Sequence, residues 1–146
     1  MQPNETQADP QKRYATLMIL WGAMFFNIGI FFLLAQVAVA DPSALPENST
    51  LAAALMGGGA VLALLSSIFR QKLVTRAIEQ QRPESVHSAY IVAFAICEVA
   101  ALFGLLLRFT TNERYYYLLF VIAAIGFLIN VPRRNDVINA SSGKRI

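Results

Sequence analysis

Glu98 interrupts the apolar run AFAICEVAALFGLLLRF, residues 93–109. A carboxyl halfway along a stretch that can cross a membrane has two uses: it holds a proton or cation, or it hydrogen-bonds between helices. A charged residue at that depth costs about 2.5–3.5 kcal/mol on insertion scales. Ten Leu, Ile, Phe and Val residues lie between Ile91 and Leu107. At roughly −0.3 to −0.6 kcal/mol each they offset that cost. Asn27 lies near the centre of the first apolar stretch, Gly57, Gly58 and Gly59 near the centre of the second, and Ala123 and Ala124 near the centre of the last. Glu98 is therefore expected to face inward against the glycine stretch, within reach of Asn27. Both uses stay open, and Ser66, Ser67 and Tyr90 are the only further groups that could relay a proton.

Other chemistry is sparse. The one cysteine, Cys97, excludes an internal disulfide framework, and with the one histidine, His87, it leaves no set of zinc ligands. No phosphate-binding glycine loop, nucleophile elbow or zinc-protease helix motif occurs. No catalytic residue, metal site or cofactor is expected, and the chain is not read as an enzyme. Cys97 is expected to be buried and inert, and His87 to be an interfacial residue.

The elements that position Glu98 follow from apolar length. Only 14% of the 146 residues are charged, against roughly 25% in soluble domains. A hydrocarbon core of about 30 Å needs roughly 20 apolar residues per helix. Four segments supply them, at about 15–39, 51–69, 88–107 and 115–131, and none shows the alternation of a barrel strand. The expected fold is an all-α, integral membrane, antiparallel four-helix bundle with polar tails at 1–14 and 132–146. Ten of the twelve Lys and Arg residues fall before the first span, between the second and third, or after the fourth. Only Arg108 and Arg114 lie on the other side, so both termini should be cytoplasmic. The small, tightly looped chain reads as a bacterial inner-membrane protein. Ala38-Val39-Ala40 has the form of a signal-cleavage site, but the apolar stretch before it is longer than a signal core, which favours a retained helix. Asn48-Ser49-Thr50 is read as a chance match to a glycosylation pattern.

Past the second span, Phe69, Leu73, Ala77 and Ile78 share one helix face while Arg70, Lys72 and Arg76 lie mostly elsewhere. This reads as an amphipathic continuation bending onto the inner leaflet. Arg70, Lys72, Arg76 and Arg82 then form a surface for anionic lipid or for a membrane-protein partner, a second copy of the chain included. Four basic residues without an aromatic platform do not make a nucleic-acid interface. Tyr115, Tyr116 and Tyr117 point in three directions and suit an outer interfacial belt, with Tyr14 and Tyr90 at the inner boundary.

Two resemblances accompany this reading. QQRPESVHSAYIVAFAICEVAALFGLLLRF, with the glycines before it, resembles the hairpin of the proteolipid subunit c of rotary ATP synthases over residues 51–108. Gly57, Gly58 and Gly59 would match its glycine-rich helix, Arg82 and Pro83 its polar loop, and Glu98 its ion-binding acid, followed by Ala101 and Gly104-Leu105. That resemblance implies proton or cation binding at Glu98. Over most of its length, through RAIEQQRP, AYIVAFAICEVAALFGLL and RYYYLLF followed by PRR, the chain resembles small uncharacterised bacterial four-helix integral membrane proteins. That resemblance implies an accessory or structural component of a membrane assembly.

Overall fold

A computed structural model of the chain describes residues 10–37, 48–80, 82–111 and 113–142. The tail before residue 10, the Ala38-Val39-Ala40 site and the proline-containing loop after it, and Lys144 and Arg145 lie outside the described residues. Every described element is helical. Helix α1 is Pro10–Val37, α2 Ser49–Glu79, α3 Pro83–Thr110, α4 Tyr117–Ile129 and α5 Arg134–Ser142, with a 3-10 turn at Arg114–Tyr116 leading into α4.

The all-α expectation holds, and the ends of the helices have local causes. Asn48 caps α2 by accepting from the Leu51 backbone N–H at 3.0 Å, which gives the Asn48-Ser49-Thr50 stretch a structural task. Pro83 opens α3 at a position where a missing N–H costs nothing. Pro132 lies in the break after α4, where it has no N–H to continue a helix.

Three helices are long and apolar enough to cross a membrane: residues 11–37, 49–79 and 84–110. The expected fourth span, 115–131, differs. Helix α4 has 13 residues, about 20 Å of rise, and the 3-10 turn adds only about 6 Å. It reaches spanning length only together with α5, to which it is joined across a 49° bend. Residues 134–142, expected as tail, thus form a helix whose Val137 and Ala140 are buried.

Helix α2 differs too. It continues unbroken to Glu79, and its Val74 and Ala77 are buried in the protein. Of the face read as lying on the inner leaflet, Leu73, Ala77 and Ile78 instead pack on the helices beside it, while Phe69 stays exposed. Helices α2 and α3 form the main hairpin, α4 lies against both, and α1 packs on α3, α4 and α5.

Close approach depends on three glycines. A Cβ on Gly59 would lie 2.5 Å from Leu119 Cδ2, one on Gly104 3.0–3.2 Å from Phe120 and Leu119, and one on Gly126 3.0 Å from Cys97 Sγ. Gly57 has nothing within 4 Å of that position, and Gly58 meets only Phe103. The stretch expected to be a packing face therefore contributes chiefly Gly59.

Candidate functional site

Glu98 does not face the glycine stretch of α2. It faces α1, where Asn27 Nδ2 donates a hydrogen bond to Glu98 Oε1. Both residues are partly buried, and Glu98 Oε2 has no partner among the described residues. One carboxyl oxygen is thus committed to an interhelical contact and the other is not.

Two further polar contacts tie α1 down, one on each side of this pair. Trp21 Nε1 donates to the Phe127 carbonyl at 3.0 Å, and Arg108 Nε donates to the Ala35 carbonyl at 3.2 Å. The Phe127 carbonyl also accepts from the Asn130 backbone N–H at 3.1 Å, so the Trp21 indole is a second donor to it. Ala35 lies in the last turn of α1, where the Arg108 guanidinium meets the negative end of the helix dipole. Stacking reinforces them: Trp21 lies parallel to Phe25 at 5.4 Å, and Arg108 lies 4.9 Å over the Tyr116 ring. From Trp21 through Asn27 to Ala35, α1 carries three polar attachments spaced along its length.

A second polar cluster is fully buried where α2, α3 and α4 meet. Ser66 donates to the Ala63 carbonyl at 2.7 Å, Cys97 Sγ donates to Ser66 Oγ at 3.2 Å, and Asn130 Nδ2 donates to Ser66 Oγ at 3.0 Å and to the Gly126 carbonyl at 2.9 Å. Among the described residues Asn130 Oδ1 is buried without a partner. The stacked rings of Phe94 and Phe127, 5.4 Å apart, contribute to the same region of the core. Cys97 is buried as expected, and the polar group that sequence reasoning missed is Asn130. Its signal was a carboxamide closing an otherwise apolar run before Val131-Pro132.

The third cluster corrects two expectations. Arg70, read as a lipid or partner surface residue, is only 5% exposed. Its guanidinium lies 5.6 Å over the Tyr90 ring, and Nη1 is buried without a hydrogen-bond partner among the described residues. Tyr90, read as an interfacial residue, is 0% exposed. Its hydroxyl donates to Asp136 Oδ2 at 2.6 Å and accepts from the Arg133 backbone N–H at 3.1 Å. The physical reason is α5, which folds back and covers ground that the sequence left to solvent. Lys72, Arg76 and Arg82 are exposed, as a lipid-facing or partner-facing role requires.

Among the described residues no group of three His, Cys, Asp or Glu side chains is placed to hold a metal ion. An apolar groove of about 660 Å³ runs between α1 and α4, past Gly22, Gly29, Phe32 and Phe120. No protein-family model, curated protein or solved structure matches the chain.

Proposed function

We propose that the chain is a multi-pass protein of a bacterial cytoplasmic membrane, a four-crossing helical bundle with cytoplasmic termini. It acts as an accessory or structural component of a membrane assembly and not as an enzyme. The fourth crossing is the 3-10 turn, α4 and α5 taken together as one span bent by 49°. The outward faces support the bilayer reading. Ile19, Phe26 and Leu33 on α1, Val61 and Leu64 on α2, and Val121, Ile125 and Leu128 on α4 are all exposed. An apolar belt of that extent is disfavoured in water and favoured in lipid.

The observation that carries the structural role is the bond from Asn27 to Glu98, placed between the Trp21 and Arg108 attachments. In lipid the hydrophobic effect does not hold one helix to another, so polar contacts and packing must. Glu98 in this reading is the acceptor that fixes the middle of α1 against α3. Wild-type protein and Glu98→Gln, reconstituted in liposomes, should show the same proton and sodium flux as protein-free vesicles. Dicyclohexylcarbodiimide should leave Glu98 unlabelled. A flux that vanishes in Glu98→Gln, with labelling of Glu98 in the wild type, would overturn the structural reading.

One observation favours a second reading, a proton- or cation-binding subunit akin to subunit c. Among the described residues Glu98 Oε2 has no partner and the side chain is only partly buried, so a carboxyl oxygen remains for an ion. The same flux experiment decides between the two.

A further inference from the structure

We propose that the cleft between the first turns of α1 and α3 binds a phospholipid headgroup that carries a primary ammonium, a phosphoethanolamine. The inference rests on the bilayer-crossing reading of these two helices. At 28 residues each, they rise about 42 Å, against a hydrocarbon core of about 30 Å. Their first turns therefore lie at headgroup depth.

The cleft has a volume of about 360 Å³ and is lined by Arg13, Thr16, Glu84, His87 and Ser88. Charges of both signs face one space, yet among the described residues no side chain pairs with Arg13, Glu84 or His87. The two hydroxyls are already oriented: Thr16 Oγ1 donates to the Lys12 carbonyl at 3.0 Å, and Ser88 Oγ donates to the Glu84 carbonyl at 3.3 Å. With their protons directed at their own helices, both oxygens offer lone pairs. The cleft thus presents a guanidinium and an imidazole as donors, and a carboxylate and two hydroxyl oxygens as acceptors. A phosphodiester suits the donors. An ammonium with three N–H groups suits the three acceptors. A choline headgroup has no N–H to give, and a glycerol headgroup has no positive charge to meet Glu84.

The test uses the full chain in detergent micelles, with retained lipid read by native mass spectrometry. Wild-type protein should retain phosphatidylethanolamine about tenfold over phosphatidylcholine and phosphatidylglycerol, the effect of about one charge-assisted hydrogen bond. Glu84→Gln should erase the preference for ethanolamine over choline, and Arg13→Gln should weaken retention of all three lipids. Circular dichroism of both variants should match the wild type. Soluble glycerophosphoethanolamine should displace the lipid if the headgroup alone is recognised. Displacement only by the full lipid would support the same site with the acyl chains contributing. Equal retention of the three lipids, or a preference unchanged in Glu84→Gln, would overturn the proposal. Release of the chain from membranes by alkaline carbonate would instead overturn the bilayer-crossing reading, an outcome the micelle measurement does not produce.

Discussion

At the residue scale, the polar side chains inside this apolar bundle divide by how completely they are satisfied. Glu98 has one committed oxygen, Asn130 an orphan carbonyl oxygen and Arg70 an orphan Nη1. Each buried orphan forfeits about 1–3 kcal/mol, and the face of Tyr90 under Arg70 recovers part of that by cation–π attraction. The Tyr90 hydroxyl is used in both roles, since it donates to Asp136 and accepts from the Arg133 backbone N–H. Tyr90→Phe should therefore cost about 1–2 kcal/mol, and the loss should be local. Hydrogen exchange at the α5 amides should accelerate while α2 and α3 amides stay protected, whereas uniform acceleration would argue against that role for the hydroxyl. Glu98 and Asn27 were legible as candidates because an acid and an amide at span centres stand out against Leu and Phe. Their mutual contact followed from equal depth alone. Arg70 was not legible. A basic residue after an apolar run reads as a surface charge, and nothing local announces that Tyr90 and α5 will enclose it.

At the element scale, α1, α2 and α3 were readable from unbroken apolar length, and their boundaries moved only by added turns at the ends. The last span was harder. Its apolar residues continue to Val131, but Pro132 ends the helix early and lets α5 turn by 49° back toward the protein. Helix packing was the least legible feature. Three consecutive glycines suggested the close-packed face, yet the close approaches fall at Gly59, Gly104 and Gly126, each on a different helix. Consecutive residues on a helix point about 100° apart, so a Gly-Gly-Gly run cannot all face one neighbour. Gly104→Val should destabilise the bundle by about 1–3 kcal/mol through overpacking against Leu119 and Phe120. Gly57→Val should leave the melting temperature in detergent unchanged within error. Equal effects at the two positions would contradict this assignment of helix faces.

At the scale of the whole molecule, the basic residues gather at one end and polar attachments set the position of α1. Lys12 and Arg13 on α1, Lys72 and Arg76 on α2, and Arg133 and Arg134 after α4 all lie toward one end of the antiparallel arrangement. The contacts agree, since Tyr90 near the start of α3 meets Asp136 in α5 while Arg108 near its end meets Ala35 near the end of α1. Reporter fusions at either terminus should both report the cytoplasm. A periplasmic readout from one of them would remove the fourth crossing.

The central claim is that Glu98 serves to hold α1 in place, and a double-mutant cycle between Asn27→Leu and Glu98→Leu tests it most directly. Unfolding free energies in bicelles should give a coupling of about 0.6 kcal/mol, with an upper range near 1.7 kcal/mol, as interhelical hydrogen bonds in membranes do. Additive effects with no coupling between the two positions would contradict it.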